Sequence, residues 1–127
     1  MLHEKMTKIL FIEDEPTLQK TLGEVLKREK FDIKTAFDGK EGLEMVKKEK
    51  PDLVLLDLIL PKMDGFTVLQ EIKKDPEIQN IPVIVLTNLE GTADVEKVLE
   101  LGATTYLVKA NYDLPDVIEK IRKTLEK

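Results

Sequence analysis

The sequence predicts an α/β protein in which a parallel sheet lies between two layers of helices. Short continuous apolar runs alternate with segments of helical periodicity, the alternation repeats five times, and little chain separates successive segments. Continuous apolar runs are typical of strands that helices cover on both faces. The 127 residues, of which 42% are hydrophobic and 35% charged, suit one domain with a packed core.

The five apolar runs locate the strands. The first reads KILFI and the third LVLL, compositions typical of buried strands. Pro82 stands near the start of the fourth run, where its missing N–H is tolerated. We predict strands over residues 8–12, 31–36, 53–56, 81–86 and 105–108.

Apolar residues at helical spacing locate the helices between these runs. Pro16 suits a first helical turn, and the leucines that follow predict a helix over residues 16–29. Asp38 and Glu41 form a capping-box pattern before a second helix, which runs to about residue 50. Further helices are predicted around residues 66–72 and 95–99, and over about 114–126.

Five consecutive β-α units with right-handed crossovers build a doubly wound sheet. For five strands we predict the flavodoxin-like order 2-1-3-4-5, which makes a (βα)5 three-layer sandwich. We expect residues 1–6 to form a flexible N-terminal tail and residues 7–126 to form the domain.

Composition excludes several classes of function. The chain has no cysteine, which removes disulfides, zinc-thiolate sites and thiol catalysis, and its single histidine, His3, lies in the polar tail. A net charge of −5 is the reverse of what non-specific nucleic-acid binding requires. No apolar stretch approaches the ~20 residues of a membrane-spanning helix. We therefore expect a soluble cytoplasmic domain with no nucleic-acid or membrane partner.

Polar side chains follow the predicted strands at the edge where ligands bind in such sheets. Glu13 and Asp14 follow the first strand and Asp57 the third, so the predicted order brings three carboxylates together. Such groups repel one another, and a hard divalent cation, Mg²⁺ or Mn²⁺, relieves the repulsion. Thr87 and Lys109 follow the fourth and fifth strands and could donate to phosphoryl oxygens.

These residues predict a metal-dependent site in which Asp57 accepts a phosphoryl group, because a carboxylate is a competent nucleophile for phosphorus. Each residue alone has an ordinary interpretation. Glu13 and Asp14 alone could be acids that favour a helix start. Asp57 or Thr87 alone could close a turn, and Lys109 alone would be a solvated surface lysine. The placement of all of them at one sheet edge favours the functional interpretation.

Four stretches of the sequence occur in a specific order and spacing: KILFIEDEP, PDLVLLDLILPKMDG, IPVIVLT and GATTYLVK. Together they resemble the receiver domain of bacterial two-component response regulators, and in particular the single-domain, chemotaxis-regulator type. The resemblance covers about residues 7–126. It implies that Asp57 takes a phosphoryl group from a sensor histidine kinase or a phosphotransfer protein.

The same resemblance assigns the other site residues. It implies that Mg²⁺ is bound by the carboxylates of Asp14 and Asp57 and by the backbone carbonyl of Ile59, with Glu13 acting through a metal-bound water. It implies that Lys109 pairs with the phosphoryl oxygens.

The resemblance also implies a switch. Thr87 would move to hydrogen-bond a phosphoryl oxygen, and Tyr106 would rotate into the vacated space. A downstream target protein would then bind the surface formed by helix 4, strand 5 and helix 5. Candidate exposed contacts on that surface are Lys97, Lys120 and Lys123.

The chain departs from the family pattern at two modulating positions. Asn88 replaces a smaller residue after the switch threonine, and Ala110 replaces a proline that commonly follows the lysine in a cis peptide. We predict a trans Lys109–Ala110 bond, since cis costs about 2.5–4 kcal/mol before a non-proline residue. Leu89 and Ile59 flank the site without a polar group, so we expect slow phosphate loss.

Two other functions stay open on the sequence alone. A phosphate-independent interaction module is compatible with Asn88 and Ala110. A metal-dependent phosphatase of the haloacid-dehalogenase type is disfavoured, because such enzymes have a second acid where Ile59 stands. We expect no enzymatic activity beyond phosphoryl transfer to, and hydrolysis from, the chain's own aspartate. Either a stand-alone regulator or a piece of a longer protein would have this sequence.

Overall fold

The computed structural model describes residues 6–88, 92–109 and 113–126, without the side chains of Thr87, Thr92 and Ala93. In these residues five strands alternate with five helices. The strands are β1 (Lys8–Ile12), β2 (Asp32–Ala36), β3 (Leu53–Leu56), β4 (Val83–Thr87) and β5 (Thr105–Val108). The helices are α1 (Pro16–Arg28), α2 (Gly39–Glu49), α3 (Gly65–Lys74), α4 (Thr92–Glu100) and α5 (Leu114–Leu125).

The strands form one parallel sheet in the order β2-β1-β3-β4-β5, which confirms the predicted fold. β1 lies between β2 and β3. The chain adds β2 on one side of β1 and then crosses back to add β3, β4 and β5 on the other side. The last pairs of the central ladder join Phe11 to Leu55 and Ile12 to Leu56. Within the described residues, no helix is long and apolar enough to cross a membrane.

The sheet separates two hydrophobic cores, and β1 contributes to both. Ile9 and Phe11 pack with α1 and α5, whereas Leu10 and Ile12 pack with α2, α3 and α4. All four side chains are fully buried. This alternation is the period of two that a strand imposes, and it explains why the run in the sequence is continuously apolar.

Three strand boundaries differ from the prediction: the start of β2 and both ends of β4, which ends at Thr87 rather than at residue 86. β4 begins at Val83 rather than residue 81, since Pro82 has no N–H to donate and offers only its carbonyl, to the Val54 amide at 3.0 Å. β2 begins at Asp32 rather than residue 31. The Phe31 amide instead donates to the Leu26 carbonyl at 3.1 Å and closes the end of α1.

The predicted Asp38 cap at the start of α2 is confirmed, but the reciprocal bond of Glu41 goes to the residue before the cap rather than to Asp38 itself. The Asp38 carboxylate accepts from the Glu41 amide at 2.7 Å, and the Glu41 carboxylate accepts from the Phe37 amide at 3.2 Å. Aspartates also cap α3 and α5, where Asp64 accepts from Thr67 and Asp113 from Asp116. Each cap satisfies a backbone donor that the first helical turn leaves unpaired.

Candidate functional site

The site begins where β1 and β3 end side by side. The Asp57 amide donates to the Ile12 carbonyl at 3.0 Å, which continues the ladder by one step beyond the paired residues. Glu13 and Asp57 are therefore the first residues past the ends of two neighbouring strands. Pairing of segments more than forty residues apart along the chain places these two acids next to each other.

Three carboxylates converge at this edge, as the sequence predicts. Glu13, Asp14 and Asp57 each offer an oxygen atom, and these oxygens lie within 4.8 Å of one another. Glu13 is fully buried and Asp57 is only 4% exposed, whereas Asp14 faces solvent. The cluster thus has two buried acids and one acid at its open side.

Lys109 completes the cluster from the end of β5. Its Nζ lies 2.6 Å from Glu13 Oε1 and 3.2 Å from Asp57 Oδ2, and its side chain is 11% exposed. A single ammonium group therefore contacts both buried acids. The structure thus places Lys109 beside the acids, where the sequence predicts it.

The protonation equilibria of the site reflect burial and crowding. The net pKa of the Glu13 carboxyl is raised to about 7, because burial and the nearby Asp57 raise it by more than the contact with Lys109 lowers it. For Lys109, burial lowers the pKa, but the carboxylates of Glu13 and Asp57 outweigh it and the net pKa is raised. Both shifts follow from charges held close together in a poorly solvated pocket.

The donor set suits a hard divalent cation. Three carboxylates and one ammonium leave the cluster with excess negative charge, and its ligand atoms are all oxygens. Oxygen ligands favour Mg²⁺ or Mn²⁺ over softer metals. The acidic cluster could therefore bind such an ion, with Asp14 available from the solvent side.

Packing of α3 against the end of β3 fixes the backbone of Asp57. A Cβ added to Gly65 would lie 2.2 Å from the Asp57 carbonyl oxygen, so only glycine fits at this position. The Gly65 amide donates to the Leu58 carbonyl at 2.7 Å. Ile59, two residues beyond Asp57, is 62% exposed and stands at the open side of this loop.

The remaining predicted site residues lie on the β4 and β5 side. The backbone of Thr87 ends β4 opposite Val108, and its side chain is outside the described residues. Asn88 is exposed. Leu89 and Ala110 lie outside the described residues, so the predicted trans Lys109–Ala110 bond stays a prediction.

Tyr106 lies in the middle of β5 and is half-buried. It packs against the core cluster that α2, α3 and α4 share, and it lines a surface cleft together with residues of α5. Lys120 and Lys123 line the same cleft. Tyr106 thus lies between the core and the surface assigned to a downstream partner.

The three lysines predicted as exposed contacts differ in their surroundings. Lys97 is exposed, and its ammonium lies 4.5 Å from the centre of the Phe66 ring on α3. Lys123 is also exposed and pairs with Glu119 at 3.1 Å. Lys120 is half-buried, so the prediction of exposure is only partly correct for it.

Sequence reasoning missed Gln19. This α1 side chain is 5% exposed, and its Nε2 donates to the backbone carbonyls of Phe11, Glu13 and Ala36. A signal was available, because Gln19 stands three and seven residues before the buried Leu22 and Leu26. A polar residue on the apolar face of a helix needs a hydrogen-bond partner.

Comparison with known sequences gives consistent results. Residues 9–122 match the response regulator receiver domain family. The DNA-binding dual master transcriptional regulator RpaA of Synechocystis sp. is 35% identical over 122 residues, which are 96% of this chain and 50% of that protein. The response regulator PleD of Caulobacter vibrioides is 39% identical over 102 residues, which are 80% of this chain and 22% of that protein. The chain thus spans about half or less of these relatives.

Solved structures show the same relationship. The BeF3-activated N-terminal receiver domain of Klebsiella pneumoniae RstA superposes with a TM-score of 0.87 at 30% identity, covering 94% of this chain and 99% of that one. A putative response regulator from Chloroflexus aurantiacus superposes with a TM-score of 0.90 at 25% identity, covering 97% and 100%. The fold, the matched residues and the relatives agree, and the chain belongs to the response regulator receiver domain family.

Proposed function

We propose that this chain is a phosphoacceptor signalling switch in which Asp57 receives a phosphoryl group from a sensor histidine kinase or a phosphotransfer protein. The observation that carries the proposal is the contact of one ammonium, Lys109 Nζ, with both Glu13 and Asp57 beside an exposed third acid. This arrangement supplies a nucleophile, a cation and a set of metal ligands at one sheet edge.

Asp14, Asp57 and the backbone carbonyl of Ile59 would hold Mg²⁺, with Mn²⁺ as a substitute, and Glu13 would contribute through a water. The bound ion would offset the negative charge that accumulates when a phosphoryl group approaches a carboxylate. The carboxylate oxygens fit this role, because hard oxygen donors are what Mg²⁺ prefers.

In the proposed reaction a carboxylate oxygen of Asp57 forms a bond to phosphorus as the bond from phosphorus to the donor nitrogen breaks. The donor imidazole leaves with the bonding electron pair. Lys109 already lies 3.2 Å from Asp57 Oδ2, so its ammonium can follow the new phosphoryl oxygens with little movement. No catalytic turnover on other substrates is proposed, and the phosphoryl group is lost by hydrolysis at the same aspartate.

The signal would reach the surface through Thr87 and Tyr106. Thr87 would donate to a phosphoryl oxygen, and half-buried Tyr106 would rotate inward, which changes the surface of α4, β5 and α5. A downstream protein that binds this surface would sense the change. Loss of the phosphoryl group would be slow, since Ile59 and Leu89 offer no polar group to an attacking water.

The proposal is tested by incubating the chain with acetyl phosphate and Mg²⁺ and measuring the intact mass. We expect the wild type to gain the mass of one phosphoryl group and Asp57→Asn to gain none. Asp52→Asn is a matched control, because Asp52 precedes the same strand at the opposite edge of the sheet and is exposed. This control should be phosphorylated like the wild type.

Two results would contradict the proposal. A wild type that gains no mass and binds no Mg²⁺ would support the phosphate-independent interaction module instead. A gain that persists in Asp57→Asn would place the phosphoryl group on another residue. Turnover of small phosphate esters, measured in the same samples, would favour the phosphatase.

A further inference from the structure

Gln19 is a buried polar side chain that the proposed phosphoryl chemistry leaves without a role. It lies in α1, and among the described residues its amide reaches the acidic cluster only at the backbone carbonyl of Glu13. We propose that Gln19 is a positioning residue that holds Glu13, and through it the acidic cluster, in the geometry that binds Mg²⁺. This inference rests on the proposed function and adds to it a residue that acts through Glu13.

Among the described residues, the hydrogen bonds of the Gln19 side chain are all with backbone carbonyls. Its Nε2 lies 3.1 Å from the Phe11 carbonyl, 3.1 Å from the Glu13 carbonyl and 3.0 Å from the Ala36 carbonyl. An amide group has two N–H donors, so three acceptors share two hydrogens. The side chain therefore joins the end of β1, the first residue beyond it, and the end of β2.

These contacts begin where strand pairing stops. The last pair between β1 and β2 joins Ile12 to Ala36, and the Glu13 amide donates to the Ala36 carbonyl at 3.0 Å. Gln19 then supplies a donor for the Glu13 carbonyl. The backbone of Glu13 is thus held on both its N–H and its C=O side, although Glu13 lies outside the strand.

The fixed backbone sets the direction of the Glu13 carboxylate. Glu13 Oε2 accepts from the Glu15 amide at 3.2 Å, and Oε1 faces Lys109 at 2.6 Å. The backbone N–H of Gln19 donates to the Glu15 carbonyl at 3.0 Å, an ordinary helical bond that any residue other than proline would make at this position. Without the Gln19 donor, the backbone of Glu13 would be less restrained. The contacts of the Glu13 carboxylate with Glu15 and Lys109 would then loosen.

The amide at this position supplies donors to backbone carbonyls at the ends of β1 and β2, and it does so at a cost to its own oxygen. Gln19 Oε1 is buried and has no hydrogen-bond partner among the described residues. A buried acceptor without a partner is unfavourable, and an apolar side chain in line with Leu22 and Leu26 would avoid it. The reversed amide would turn its oxygen toward three carbonyl oxygens, so the donor orientation is the only favourable one.

The test measures Mg²⁺ binding by isothermal titration calorimetry with MgCl₂, and stability by urea unfolding, on the full chain. Gln19→Met keeps the length of the side chain and removes the donors. We expect its dissociation constant for Mg²⁺ to rise about tenfold, as is typical when a residue supporting a metal ligand is replaced. Leu26→Ala is the matched control, since Leu26 is buried in the same helix and packs in the apolar cluster between the sheet and α5.

The control should lose stability and keep its Mg²⁺ dissociation constant within about twofold of the wild type. A Gln19→Met chain that loses stability while binding Mg²⁺ like the wild type would overturn the positioning role alone. A wild type that binds no Mg²⁺ would overturn the proposed function and this inference with it. If Gln19→Met does not fold, Gln19→Asn, whose amide is one methylene shorter, is measured with the same expectation.

Discussion

The half of the molecule around β1 and β3 differs in packing from the half around α4 and β5. In the first half, Glu13 is fully buried, Asp57 is 4% exposed, and both contact the same ammonium. In the second half, Asn88 is exposed and Tyr106 is half-buried. Within residues 94–100 of α4 only Val98 is buried, and Leu99 is 44% exposed.

Under the proposed function, this difference would separate the part that binds the phosphoryl group from the part that responds to it. A cluster that binds a metal and a phosphoryl group needs ligands held in place before the ligand arrives. A surface that changes on phosphorylation needs an element whose packing is weak enough to shift by a local event. We infer that the β1 and β3 half is the fixed part and that the α4 and β5 half is the movable part.

The largest effect is expected from Lys109→Met, which tests the fixed half. Glu13 would remain buried while losing its nearest cation, and breaking such a pair costs about 3–5 kcal/mol in the free energy of unfolding. Lys123→Met is the matched control, because Lys123 also pairs with a glutamate but is 70% exposed. Its free energy of unfolding should change by less than about 0.5 kcal/mol. Urea unfolding at pH 8 without metal measures both, and equal losses would contradict the comparison.

A similar contrast is expected between two glycines. In Gly65→Ala the new Cβ would lie 2.2 Å from the Asp57 carbonyl oxygen, so we expect a loss of about 1–3 kcal/mol in the free energy of unfolding. Gly23→Ala adds a methyl group that meets nothing within 4 Å, and the better helix propensity should stabilise by about 0.5–1 kcal/mol. Thermal unfolding measures both changes, and a stable Gly65→Ala would show that the Asp57 loop is not tightly held.

The raised pKa of Glu13 predicts a pH dependence in the metal-free chain. Burial raises this pKa from 4.5 to about 7, so the folded state holds the proton more tightly than the unfolded state does. The contribution to stability is therefore full below pH 4.5 and is lost as the pH rises to about 7. A shift of that size corresponds to a change of about 3 kcal/mol in the free energy of unfolding.

Glu13→Gln removes the titrating group, so the difference in stability between the wild type and this variant isolates its effect. Urea unfolding in a chelator, at several pH values between 4.5 and 8, gives that difference. A difference that is constant across this range would mean that the Glu13 pKa is not raised.

The smallest effect is expected for the contact between α4 and α3. The Lys97 ammonium lies 4.5 Å from the centre of the Phe66 ring, and an exposed contact of this kind contributes about 0.5–1 kcal/mol. A double-mutant cycle with Lys97→Met and Phe66→Leu, measured by urea unfolding, should give a coupling of that size. A coupling of several kcal/mol would show that α4 is held as firmly as the acidic cluster.

Much of the fold follows from the sequence, because each apolar run and each helical stripe is a local signal. The five strands and the Asp38 cap could be predicted in this way, and the strand order followed from the connection rules of doubly wound sheets. The start of β4 was not predicted correctly. The strand begins at Val83, the first residue after Pro82 that has an N–H to donate. Gln19 was missed for a different reason, since its partners come from two strands whose approach no local pattern describes.

The sequence by itself determined which residues end the strands, and so which acids could meet: Glu13, Asp14 and Asp57. Only the tertiary structure decided that Glu13 is fully buried, that Lys109 reaches it at 2.6 Å, and that its pKa rises to about 7. The physical reason is that desolvation and charge pairing depend on atoms from distant segments. Their strength is set when β1, β3 and β5 come together in one sheet.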